Sequence, residues 1–154
     1  MRGPLKIAVI GCGDIAQKSY LPGLAGSFKG LARVVSVCDA DRGRARLVAG
    51  RYRIPAFGDA AQMFKAVPSD VALVLTPLLT HAAVGTLAVR AGRHVYTEKP
   101  FALTLSQADA VIRLAPGGHR RAEMVQPRQE RLDRRFRGVS FHPAVPGEAA
   151  LAGS

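Results

Sequence analysis

The sequence predicts an α/β fold, a doubly wound parallel sheet with helices on both faces, and three observations predict it. Short apolar runs alternate with helix-patterned stretches through short links, which is how a parallel sheet is written. The chain has 154 residues and is 48% hydrophobic, enough to fill one core of ordinary domain size. Aromatics make up only 6% with no Trp, so the core is left to Val, Leu, Ile and Ala, the composition of strands buried on both faces.

The elements follow in order. Leu5 to Ile10 is a nearly continuous apolar run closed by Gly11, a strand pattern. A helix starts at Asp14, with Ile15, Leu21 and Leu24 offered to the core and Pro22-Gly23 expected to kink or split it. Ala32 to Cys38 is a second β-branched strand ending at Asp39; Asp41 then caps a helix to Tyr52, ended by Ile54-Pro55. Asp59 caps a short helix to Val67, and Val71 to Leu75 is a strand that stops at Thr76-Pro77. Thr80 to Ala91 carries Ala83, Leu87 and Ala91 at helical spacing, with Gly92 as the stop. Val95 to Thr97 is a brief strand before Glu98-Lys99-Pro100, and Ser106 to Ala115 a last helix with Ala108, Val111, Ile112 and Ala115 on one face. Beyond Pro116-Gly117-Gly118 the pattern lapses. The only apolar strand candidate is Met124-Val125 inside an Arg-rich stretch, and Gly138 to Ser154 has no period. The division expected is a Rossmann-type domain over residues 1–118 and a basic, poorly ordered tail over 119–154.

The chemistry is concentrated at strand ends. Gly11-Cys12-Gly13-Asp14-Ile15-Ala16 is G-x-G-x-x-A directly after a strand and opening a helix. In that context the first glycine makes the tight turn and the second lets backbone approach a pyrophosphate. The alanine lets helix and strand pack closely, while free N–H groups at the helix start face the phosphates. Asp39 lies 23 residues past Ala16 at the end of the second strand, the place for a carboxylate on the adenine ribose hydroxyls. A 2′-phosphate there would cost roughly 4 kcal/mol, for like charges about 4 Å apart at an effective dielectric of 20, so NAD is favoured over NADP. Arg42 and Arg44 are near enough in sequence to soften that repulsion, and NADP stays possible. Cys12 sits at a variable position of the glycine loop with no neighbouring base to make it a nucleophile.

The series IAVIGCGDIAQKSYLPGL, VCDAD, LTPLLTH and VYTEKPFALT, in this order and spacing, resembles the N-terminal domain of the Gfo/Idh/MocA oxidoreductases over Lys6 to Ala115. The resemblance implies an NAD(P)-dependent dehydrogenase acting on a sugar, inositol or related polyol. It implies that Thr76 and Pro77 lie under the cofactor, with His81 opening the next helix. Lys99 would be the catalytic residue beside the nicotinamide and the substrate hydroxyl, because loss of hydride from C–OH also requires loss of its proton. Glu98 would fix the nicotinamide ribose and Pro100 stiffen the turn. Leu78 departs from the Pro or Asn frequent at that position. Relatives of this kind carry a second domain with the substrate pocket and oligomer interface, and no Asp-x-x-x-His pattern follows Pro100 here. The expectation is a truncated or frameshifted product that binds cofactor with negligible turnover; the alternative is a non-catalytic dinucleotide-binding module.

Other classes fit less well. The net charge of +11 invites nucleic acid, but much of it crowds Arg120, Arg121, Arg128, Arg131, Arg134, Arg135 and Arg137 without interleaved aromatics, the mark of a solvated basic tail. Two cysteines without C-x-x-C spacing give neither a disulfide framework nor a metal site. With no secretory leader and no apolar run near the ~20 residues of a membrane span, a soluble, cytoplasmic protein is expected. His94 at a strand start reads as structural, and His119 and His142 fall in the tail.

Overall fold

The computed structural model describes residues 3–114, which form a five-stranded, wholly parallel sheet in the order β3-β2-β1-β4-β5. The strands are β1 (Leu5–Ile10), β2 (Ala32–Cys38), β3 (Ala56–Phe57), β4 (Val71–Val74) and β5 (His94–Thr97). This is a Rossmann fold. The chain winds outward from β1 to one edge and returns beside β1 to build the other half, and that reversal leaves a crevice at the carboxyl ends of the strands.

Alternation along β1 explains the two-sided winding. Ile7 and Val9 join a core with Ala16, Tyr20, Leu21 and Leu24 of the first helical segment and Val48 and Ala49 of α2 (Arg42–Tyr52). Ala8 and Ile10, on the opposite face, join Met63 and Phe64 of α3 (Ala60–Ala66) and Ala88 of α4 (Leu78–Arg90). A strand whose residues from Ile7 to Ile10 are claimed by one core or the other reads as an apolar run, broken in β1 only by Lys6 near its start.

The caps are those the sequence carries. The Asp41 side chain accepts from Gly43 N and Arg44 N at the start of α2, and Asp59 accepts from Gln62 N in α3. Gly92, at φ +72°, terminates α4, and α5 (Leu105–Leu114) follows a Thr104 whose hydroxyl accepts from Gln107 N.

Three expectations need correction. The interruption expected at Pro22-Gly23 falls just before it. Ala16–Tyr20 forms a π-turn, closed by Leu21 N–H to Ala16 O, which leads into α1 (Leu21–Ala25), so Pro22 follows residues that are already helical. Ile15 is 36% exposed and outside the core, while Tyr20 takes a place in it. In α4 the core face is His81, Gly85 and Ala88, with Ala83 and Leu87 exposed. A Cβ on Gly85 would meet Val111 at 3.7 Å and Val95 at 3.9 Å, ordinary contact distances, so this position faces the core without crowding. The short β3, following Pro55, adds an edge strand that no run predicts. Among the described residues no helix is long and apolar enough to cross a membrane. Met124-Val125, His119, His142, Ala115, the arginine-rich stretch and the boundary at residue 118 lie outside the described residues.

Candidate functional site

Sheet register brings the predicted residues to one edge. Ile10 pairs with Cys38 on one side and Val74 on the other, and Val74 pairs with Thr97. The residues just beyond these four strand ends are Gly11, Asp39, Leu75-Thr76 and Glu98. Parallel register therefore aligns all of them along the carboxyl edge, beside the reversal point.

The glycine turn is built by two different constraints. Gly11 has φ +96°, and a Cβ there would stand 2.5 Å from Leu75 O, so both conformation and crowding demand glycine. Gly13 carries neither constraint: a Cβ would meet nothing within 4 Å. What Gly13 leaves open is space in front of the helix start, where backbone can come up to a ligand. Cys12 between them is buried, with its side chain turned inward and Sγ 3.7 Å from Cys38 O. Its thiol is pushed up to about 12 by burial first and then by Asp39 and Cys38, which removes it as a nucleophile. Ala16 is fully buried against the core, whereas Asp14 is exposed and pairs with Lys18 at 2.6 Å.

Asp39 faces the glycine turn. Its Oδ2 accepts from Cys12 N at 2.8 Å and its Oδ1 from Asp41 N at 2.9 Å, with the residue only 9% exposed. A carboxylate has about four acceptor positions, and with Cys12 N, Asp41 N and Arg44 Nη1 on three of them room is left for one ribose hydroxyl. Arg44 reaches both Asp39 Oδ2, at 3.5 Å, and Asp41 Oδ2, at 3.4 Å. Arg42 lies elsewhere, over Gly58, where a Cβ would come within 2.7 Å of its Nε. Of the two arginines, the structure brings Arg44 to the carboxylate.

On the other half of the edge, His81 is 3% exposed with its ring set between two loops, Nε2 2.6 Å from Thr76 O and Nδ1 2.9 Å from Pro100 O, and a neutral ring donates its one N–H to one of these carbonyls. It ties the end of β4 to the Glu98-Lys99-Pro100 segment, whose Lys99–Pro100 peptide is cis. Pro77 caps α4 and Thr80 Oγ1 donates to Pro77 O. Glu98 accepts from the Tyr20 hydroxyl at 2.5 Å and from Lys99 N at 3.3 Å, and Lys99 is exposed. Thr76 Oγ1 is buried without a hydrogen-bond partner in the structure. An orphaned hydroxyl at the strand end and the open space at Gly13 both fit a polar ligand laid along this edge.

The family model described as an oxidoreductase family with an NAD-binding Rossmann fold, Gfo/Idh/MocA, matches residues 5–125. The chain belongs to this family. Among its relatives, a UDP-N-acetylglucosamine 3-dehydrogenase of Acidithiobacillus ferrooxidans is 32% identical over 115 residues, covering 75% of this chain and 34% of that protein. An inositol 2-dehydrogenase of Saccharopolyspora erythraea is 33% identical over 110 residues, covering 70% and 32%. The solved structure of KijD10, a 3-ketoreductase from Actinomadura kijaniata in complex with TDP-benzene and NADP, superposes with TM-score 0.67 at 29% identity, covering 73% of this chain and 35% of that one. The chain thus spans about a third of the length of the relatives it matches.

Two residues that sequence reasoning left out of the site enter it here. In the sequence Arg44 is only a nearby charge, since helical spacing does not say which of two arginines turns back toward Asp39. Tyr20 is 78 residues from Glu98 in sequence, and no local pattern announces their contact.

Proposed function

We propose that this chain is the cofactor-holding part of an oxidoreductase that moves hydride between NAD(P) and a sugar, inositol or related polyol. The observation that carries this reading is the Cys12 N to Asp39 Oδ2 hydrogen bond beside an open Gly13, which sets phosphate and ribose positions next to each other. Gly11, Cys12 and Gly13 form the pyrophosphate turn, and Asp14, Ile15 and Ala16 open the helix behind it. Asp39 takes the adenine ribose, with Arg44 of α2 close by. Thr76 and Pro77 form the floor, held by His81, and Glu98 orients the nicotinamide ribose. The bound nicotinamide supplies hydride acceptance or donation. Lys99 exchanges the proton of the substrate hydroxyl, and Pro100 shapes its turn.

NAD is the cofactor favoured, because a 2′-phosphate would meet the Asp39 charge. The 154-residue chain itself is expected to bind cofactor with negligible turnover, because holding and drying the substrate needs a second wall to the pocket. Two assays on the purified chain test this. NADH should raise the melting temperature in a saturable, concentration-dependent way, as any ligand of the folded state does. Absorbance at the nicotinamide band should show no oxidation of inositol or glucose; robust turnover would overturn the second statement, and an unmoved melting temperature the first.

A further inference from the structure

The π-turn at Ala16–Tyr20 and the contact it makes have no part in the roles assigned so far. An α-helix closes each bond over four residues, but here Leu21 N–H reaches back five, to Ala16 O. The extra residue lets Tyr20, Leu21 and Leu24 all reach the sheet while Ile15 stays outside. Single π-turns inside α-helices are rare and lie frequently at functional sites. This one delivers a phenol to the far half of the site.

Tyr20 is 8% exposed, its ring set edge-on to Tyr96 with centroids 6.1 Å apart and planes at 71°. Its hydroxyl donates to Glu98 Oε1 at 2.5 Å, and Glu98 Oε2 accepts from Lys99 N at 3.3 Å. Both carboxylate oxygens are therefore held from the protein side, one by the helix that follows the glycine turn and one by the backbone of the candidate catalytic lysine. Burial first, and then the Glu98 contact, push the phenol well above the usual tyrosine range, so it stays a donor at any working pH.

We infer that Tyr20 is a positioning residue, whose hydroxyl holds the Glu98 carboxylate in place for the nicotinamide ribose and so couples the phosphate-binding helix to the Lys99 loop. The inference rests on the cofactor reading above and goes further, because it assigns the π-turn a purpose at the nicotinamide end alone. A residue that merely filled the core would affect both ends of the dinucleotide.

The test compares two ligands on the full 154-residue chain. NADH spans the whole edge, while ADP reaches only the glycine turn and Asp39. Tyr20→Phe removes one oxygen and keeps the ring, and should weaken NADH roughly tenfold, the worth of one charge-assisted hydrogen bond, with ADP changed by less than about twofold. In a Glu98→Ala background the same substitution should cause no further loss of NADH affinity, because the two residues act through one contact. Equal weakening of NADH and ADP, an unchanged NADH affinity, additive losses in the double variant, or a Tyr20→Phe chain that no longer folds would each overturn the inference. An unaltered chain that binds neither ligand would instead bring down the cofactor reading itself, which the variants do not enter.

Discussion

The backbone amide of Cys12 donates to Oδ2 of Asp39 at 2.8 Å, across 27 residues of sequence and from one strand end to the next. The glycine turn and the carboxylate are thus one unit. The amide holds the carboxylate against the turn, and Arg44 at 3.5 Å offsets part of its charge. Cofactor choice should be legible in that triplet.

NADH is expected to bind more tightly than NADPH, because a 2′-phosphate meets the Asp39 charge. Arg44→Ala should widen the gap by about three- to fivefold, the modest worth of a half-exposed ion pair. Parallel titrations with the two reduced cofactors check this. A gap that closes on removing Arg44 would show that the arginine opposes the phosphate rather than accommodating it.

The two glycines of the turn should separate stability from binding. Gly11→Ala puts a Cβ at 2.5 Å from Leu75 O and into a φ of +96°, so thermal unfolding should show a loss of several degrees. Gly13→Ala meets nothing within 4 Å and should melt with the unaltered chain, with its cost confined to cofactor affinity. Equal melting temperatures for the two variants would contradict this geometry.

The His81 ring lies between two carbonyls and as a neutral imidazole donates to one of them, so replacing it with Phe keeps the bulk and leaves that carbonyl, Thr76 O or Pro100 O, without its donor. A destabilisation of about 2 kcal/mol is expected for a buried acceptor left unpaired, measured by urea unfolding. A variant as stable as the original would mean that the ring fills space and ties nothing.

The buried thiols give a pH dependence with a definite sign. Cys12 is raised from 9.0 to about 12 and Cys38 from 9.0 to about 11, in both cases chiefly by burial. Raised folded values mean that the folded chain keeps these protons while the unfolded chain gives them up. The contribution is intact below about pH 9 and is lost as pH rises toward 11 and 12. Urea midpoints should fall across that alkaline window, less steeply in Cys12→Ala. Near neutral pH the folded chain should leave an aromatic disulfide reagent unconsumed until denaturant is added; prompt reaction of both thiols would contradict their burial.

Much of this was legible in the sequence, and the reasons are local. β1 and β2 show their bounds because strands claimed by two cores are mostly apolar, broken only by Lys6 in β1 and by Arg33 and Ser36 in β2, and Asp41 and Asp59 show themselves as caps because capping needs only the next three residues. The face of α4 is hidden in the sequence because Ala83 and Leu87 form an apolar stripe, whereas the face that packs uses Gly85, small enough to sit at the core, and His81 for its hydrogen bonding. Hydrophobic spacing registers neither reason. β3 has two residues and no period to detect. The glycine turn, Asp39, Thr76 and Glu98 could be placed on one edge because each ends or follows a strand. The Tyr20 contact could not, since a π-turn leaves no mark in residue spacing and its partner lies on β5's far side of the sequence.

The most direct measurement of the central claim is a fluorescence titration of the 154-residue chain with NADH, run beside Gly13→Val. The account predicts saturable binding by the unaltered chain and its loss in the variant, whose side chain would fill the space left for the pyrophosphate, with both proteins equally folded by circular dichroism. No saturable binding in the unaltered chain, or equal affinity in the two, would contradict it.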